Sequence, residues 1–179
     1  MKLTALATLT LMGALVLSGC ATGVPETDGT PAASATATPA PADGSCAGVS
    51  VVVDFGALDT PGITDCVDTG AAETIAASTV METSGVTTEG TLEWGDQVVC
   101  RVNDRPAADE TIDVAGEPPF IESCQSMPAA AAYWALWIKP TADADWEYAQ
   151  KGLGSLELEA GQSVGLVFTT GTETPTPGR

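Results

Sequence analysis

Cysteine constrains this chain more than any other residue type. Five occur among 179 residues, at positions 20, 46, 66, 100 and 124, and there is no histidine. Cys20 stands apart from the other four. It follows the small residues Ser18 and Gly19 at the end of an apolar run, Leu3 to Leu17. Setting it aside leaves an even number, as expected for a small domain stapled by two disulfides in an oxidising compartment. Four cysteines can pair in three ways. The sequence-local pairing, Cys46 with Cys66 and Cys100 with Cys124, is favoured. A zinc set is not, because no Cys-x-x-Cys pair occurs and no histidine completes one. No metal and no cofactor is expected.

Lys2 precedes the apolar run as a positive n-region. The run has the length of a secretion signal and is short for a bilayer span. Leu17-Ser18-Gly19-Cys20 therefore reads as a lipoprotein processing site. The Cys20 thiol takes a diacylglycerol, cleavage before it removes residues 1–19, and two or three acyl chains anchor the new terminus. The expected address is the extracytoplasmic face of a cell membrane, held by lipid on Cys20. Residues 20–45 continue as a disordered tether. From Ala21 to Ser45 there is no aromatic residue, no Leu or Ile and a single Val, too little apolar surface to fold. Residues 169–179 repeat the style as a tail. Folding is confined to residues 46–168, a typical size for one core.

The net charge is −18. That excludes nucleic acid as a partner and electrostatic docking on anionic headgroups. The absence of histidine removes Ser-His and Cys-His nucleophile pairs and histidine general bases together. With 24 acidic residues, some carboxylate pair is always near hydrolase spacing, and nothing marks one pair. Asp143-Ala-Asp145-Trp-Glu147 lacks the glycine turn and distant glutamate of a calcium loop and reads as a solvated turn. The chain is not expected to be an enzyme.

Periodicity places the elements. Val49, Val51, Val53 and Phe55 share one face of a strand. Asp59 to Asp68 reads as a loop around Thr60-Pro61-Gly62. Asp68 or Thr69 then caps a helix carrying Ala72, Ile75, Ala76, Thr79 and Val80, stopped by Gly85. Val86 to Trp94 alternates in part. Gln97 to Asn103 is a strand with Val98, Cys100 and Val102 on one face. Pro106 to Pro128 is a long acidic excursion around Cys124. Ala132 to Ile138 is a strong strand, Trp146 to Tyr148 a short one, and Val164 to Phe168 the last. One helix and about five or six strands make an α+β plan.

In order, these residues are a helix ending at Gly85, a strand to Trp94-Gly95, Val98 to Asn103, Tyr133-Trp134, Trp146-x-Tyr148-x-x-x-Gly152, and Gly161 with Val164 to Phe168. The series resembles the transcobalamin-like C-terminal domain found on extracellular bacterial proteins. The resemblance implies a small β-grasp-like fold, one main helix packed on a mixed sheet. It also implies a module that caps a corrinoid. The sequence departs from the family at Asp104, where glycine usually follows the asparagine, and at Gln162, where aspartate is common. It holds no helical barrel and no histidine to ligate cobalt.

Of the 4 Trp and 2 Tyr, all but Trp94 lie between Tyr133 and Tyr148. Tyr133, Trp134, Trp137, Trp146 and Tyr148 are thus the candidate ligand- or partner-binding residues. Alternation turns Trp134 away from Tyr133 and Trp137, so one group belongs to the core and the other to the outside or a groove. Arg101, in a chain with few cations, is a further candidate, pairing with a local carboxylate or an anionic ligand. The function expected is binding of a small molecule for uptake, a corrinoid or other vitamin-like ligand. The alternative is docking on a transporter subunit or another cell-surface protein.

Overall fold

Val49, Val51 and Val53 alternate with polar or half-buried neighbours because they line the inner face of a sheet, paired in parallel with the strand Ser163–Thr170. The computed structural model describes residues 46–170 and Pro177, all within the compact unit Thr38–Arg179. Cys20, the segments read as signal and tether, and most of the tail lie outside the described residues. In chain order the elements are β1 (Val49–Asp54), a 3-10 turn (Gly56–Leu58), β2 (Ile63–Val67), β3 (Ile75–Ala76), helix α1 (Ala77–Thr83), β4 (Thr88–Thr91) and β5 (Gly95–Val102). Then follow β6 (Thr111–Ile112), β7 (Phe120–Ile121), β8 (Ala132–Lys139), β9 (Glu147–Tyr148), β10 (Glu157–Leu158) and β11 (Ser163–Thr170).

A five-stranded sheet of order β2-β1-β11-β8-β9 organises the rest. β1 and β11 are parallel and the other neighbours antiparallel, so the sheet is mixed. Its inner face carries Val49, Val51, Val53, Val164, Leu166, Phe168 and Trp134, all buried. Helix α1 joins this core through Ala77, Val80 and Met81. Full burial of each such Val, Leu or Met side chain is worth roughly 1.5–3 kcal/mol. The domain is α+β: mostly sheet, with a single α-helix among the described residues and two disulfides.

The disulfides are Cys46–Cys66 and Cys100–Cys124, the sequence-local pairing. The first bridges the chain just ahead of β1 to the edge strand β2. The second ties β5 to the long excursion, whose only regular structure is the two-residue ladder of β6 on β7.

Three sequence expectations need correction. The segment read as a loop after Thr60-Pro61-Gly62 contains β2, which pairs antiparallel with β1 from Val49↔Val67 to Val53↔Ile63. The helix starts later than its periodicity predicts. Ile75 and Ala76 pair with Leu158 and Glu157, and the Ala77 N–H donates to the Leu156 carbonyl at 2.9 Å. Tertiary pairing takes the backbone groups of the expected first turn, and the N-cap Ala76 has no side-chain bond. The helix end is as expected. Gly85 adopts φ +70°, its N–H donates to Glu82 O and the Val86 N–H to Met81 O, closing a Schellman motif.

The third correction concerns β5. Its register against β4 passes from Glu89↔Arg101 to Gly90↔Val99, so Cys100 is an extra, bulged residue. Alternation breaks there. Val99 and Val102 both join the core, and Val98 is only half-buried. Beyond β5, Asn103 and Asp104 both have positive φ (48° and 59°) in a two-residue turn closed by Val102 and Arg105. Such turns favour Asn and Asp after glycine, which accounts for Asp104 where a glycine would serve.

Candidate functional site

The sequence of β8, Ala-Tyr-Trp-Ala-Leu-Trp-Ile-Lys, sorts its aromatic rings by parity. Trp134 points inward. It meets Phe55 and Phe168 edge-on at centroid distances of 5.3 and 5.4 Å. Its indole N–H donates to the Arg105 carbonyl at 3.0 Å, satisfying the one polar atom this ring brings into the core.

Tyr133 and Trp137 point outward. Tyr148 stands opposite Trp137 across the β8–β9 pair and stacks on it, with centroids 4.0 Å apart and planes 22° from parallel. Tyr133 and Trp146 pack on the same outer cluster, with Ala135 and Val167. The Lys139 ammonium lies 5.7 Å from the centre of the Trp146 ring, a cation–π distance. Trp137 is only 5% exposed despite facing outward. Its indole N–H is buried and has no hydrogen-bond partner among the described residues.

Beside this pair lies a cleft of about 540 Å³. Its position follows from the shortness of β9, which pairs only with Trp137 and Ile138. The first half of β8 therefore has β11 on one side and the cleft on the other. Tyr133 to Leu136 and Tyr148 to Leu153 form one wall, Gln97 to Val99 of β5 another, and Met127 and Pro128 line it from the excursion. The lining brings aromatic rings together with the side chains of Gln97, Gln150 and Lys151. Ser155 donates to the Gln97 amide oxygen at 3.0 Å, which holds that side chain in place.

The two phenol groups are close. The Tyr133 and Tyr148 hydroxyls lie 3.4 Å apart. This hydrogen bond, then burial and the neighbouring phenol's charge, push the Tyr133 pKa up to about 12. At neutral pH Tyr133 keeps its hydroxyl protonated.

Of the candidates from sequence, the structure places Tyr133, Trp134 and Tyr148 on the cleft and gathers Trp137 and Trp146 on the outer face beside it. Arg101 is elsewhere. It is buried, and its guanidinium donates to the Pro106 carbonyl (2.9 Å), the Glu122 carbonyl (2.8 Å) and the Glu89 carboxylate (2.9 Å). Its donors knit β5 to β4 and to the excursion rather than facing the cleft.

Sequence reasoning missed Arg105, which forms a two-point pair with Glu110 and also reaches Thr60 Oγ1 and the Leu58 carbonyl. The Ala107 N–H adds a third bond to Glu110 at 2.7 Å. Burial raises the Glu110 pKa, but the Arg105 and Ala107 bonds and the Arg105 charge outweigh it, and the net direction is down. Gln97, Met127 and Lys151 were also missed, and no local signal marks them. Cys100, Glu122 and Cys124 come close together, but the two sulfurs are bonded to each other, so they form no thiolate ligand set.

Comparison of the chain with family models, with curated proteins and with solved structures finds no match. The class defined by the molecule itself is a disulfide-bonded α+β domain with an aromatic-walled cleft. Among the described residues no helix is long and apolar enough to cross a membrane.

Proposed function

We propose that this chain is a lipid-anchored extracytoplasmic protein whose domain binds a small molecule in the cleft beside β8. One observation carries the reading: a concave space of about 540 Å³ joins flat aromatic rings to a few polar groups. That volume lies within the roughly 300–1,000 Å³ of small-ligand sites. A helix on a mixed five-stranded sheet is consistent with the β-grasp-like, transcobalamin-like architecture, and the ligand class that goes with it is a corrinoid or other vitamin-like compound held for uptake. Calorimetric titration of the chain with a panel of corrinoids tests this. Saturable binding that is lost in Tyr133→Ala supports it, and no heat at high ligand concentration overturns it. Two disulfides suit an oxidising compartment. The anchor is tested separately, by fractionation of Cys20→Ala. Release from membranes is expected, and unchanged retention would refute lipidation.

A second reading has its own support. Leu92 and Trp94, in the turn between β4 and β5, are 77% and 49% exposed, and Met127 of the excursion is 62% exposed. The Leu92 and Glu93 N–H groups donate to the Cys124 and Gln125 carbonyls, which fixes the β4–β5 turn against the excursion. An exposed apolar group of this kind suits docking on a transporter subunit or another surface protein. Photocrosslinking from position 94 in intact cells separates the two. A specific crosslinked protein favours docking.

A further inference from the structure

We infer that the outer face of the sheet is a proline-binding site, occupied in this chain by Pro177 and able to take an extended Thr-Pro-x-Pro peptide in its place. This does not depend on the cleft or its ligand. Three observations lead to it.

The first is a notch. Gly165 on β11 lies between Val52 of β1 and Trp137 of β8, on the face away from the core. A Cβ built on Gly165 would run into the Pro177 ring and come within 3.2 Å of the Trp146 indole. The missing side chain is thus what makes room, and Pro177 is buried where it sits.

The second is the surrounding surface. Trp137 and Trp146 belong to the same outer cluster. Flat aromatic rings beside such a notch suit a proline ring, whose fixed φ restricts a peptide to extended conformations before it docks.

The third is the unpartnered donor. The Trp137 indole N–H is buried without an acceptor. A buried donor left unpaired costs about 1–3 kcal/mol. This donor stays unpaired among the described residues with Pro177 in place, and an added polyproline-type peptide, whose carbonyls are free of internal hydrogen bonds, can offer it an acceptor. Pro177 ends the sequence repeat Thr174-Pro175-Thr176-Pro177, so the residue in the notch belongs to a proline-repeat sequence.

The test reads the four tryptophan indole N–H signals of the full ¹⁵N-labelled chain, assigned with single Trp→Phe variants. Pro177→Ala should move the Trp137 and Trp146 signals and leave Trp134 in place. The synthetic peptide Thr-Glu-Thr-Pro-Thr-Pro-Gly-Arg, added to Pro177→Ala, should shift Trp137 and Trp146 saturably. The unaltered chain should need about tenfold more peptide, because its tethered proline competes at high effective concentration. A peptide with its last proline changed to alanine should not saturate. Gly165→Ala, which fills the notch, should reproduce the shifts of Pro177→Ala and abolish peptide binding. Unmoved Trp137 and Trp146 signals in Pro177→Ala would overturn the inference. So would a peptide response that is absent or indifferent to the proline.

Discussion

Tyr133 and Tyr148, both lining the cleft, share one hydrogen bond, hydroxyl to hydroxyl at 3.4 Å. The bond holds the Tyr133 proton to about pH 12, above the ordinary phenol value of 10.0. A pKa raised on folding contributes stability below the unfolded value and loses it as pH rises through the folded one. Stability should therefore fall from about pH 10 towards 12. Tyr148→Phe leaves Tyr133 as the sole phenol. Ultraviolet titration of that variant should show Tyr133 ionising well below 12, and a value unchanged at about 12 would refute the role given to the bond.

Trp134 and Trp137 are both buried but differ in what they support. Trp134→Ala empties the contact with Phe55 and Phe168 and should cost about 3–5 kcal/mol. Trp134→Phe keeps most of the ring volume and removes the indole bond to the Arg105 carbonyl, which still accepts from the Val102 N–H, a cost of about 0.5–1.5 kcal/mol. Trp137→Ala uncovers an outer-face cluster and should cost less than Trp134→Ala. Urea unfolding midpoints of the three variants decide this, and equal losses for the two alanine variants would contradict the two-sided assignment.

Arg101 is 8% exposed, whereas the Glu89 side chain is 54% exposed. The energy of this cation should lie in the two carbonyls it satisfies rather than in the ion pair. Arg101→Met should cost about 2–4 kcal/mol by orphaning Pro106 O and Glu122 O. Glu89→Gln should cost under about 1 kcal/mol. Arg101→Lys should not rescue, since an ammonium cannot reproduce the planar fork. A larger loss from Glu89→Gln than from Arg101→Met, measured by denaturant unfolding, would reverse this ranking.

Glu110 gives the opposite pH sign to Tyr133. Its pKa is lowered in the fold by Arg105 and Ala107, against the raising effect of burial. The stabilisation is present above the ordinary value of 4.5 and is lost as pH falls through the lowered one. Glu110→Gln should be less stable at neutral pH and should flatten the acid limb of a stability–pH profile. An acid limb identical to that of the unaltered chain would remove Glu110 from the account.

The strands of the main sheet were legible where alternation is strong. Val49 to Val53, Tyr133 to Trp137 and Val164 to Phe168 each show their facing in the sequence. β2 was hidden because Thr60-Pro61-Gly62 announces a turn, and an edge strand with Thr64 and Asp65 lacks a clear apolar face. The helix start was hidden because β10, some eighty positions later in the chain, claims Ile75 and Ala76. The bulge at Cys100 depends on its partner strand and leaves no local trace. Parity separated Trp134 from Trp137, but the burial of Trp137 needs Tyr148 and Trp146 to arrive from beyond the next turn. The cleft was not legible at all. It exists because β9 stops short and Gln97 to Val99 approach from another ladder, neither of which a linear pattern encodes.

The bridge between Cys46 and Cys66 has a mechanical consequence. Tension applied through the residues before Cys46 enters the domain at a covalent link and passes at once to β2, the outermost strand. Without that link the same load would fall first on the hydrogen bonds of β1 with β2 and β11, the pairings that hold the middle of the sheet. Reduction should accordingly turn a load-sharing edge into a tear line, and the force needed to begin unfolding from the amino-terminal side should drop while that from the carboxyl-terminal side changes little.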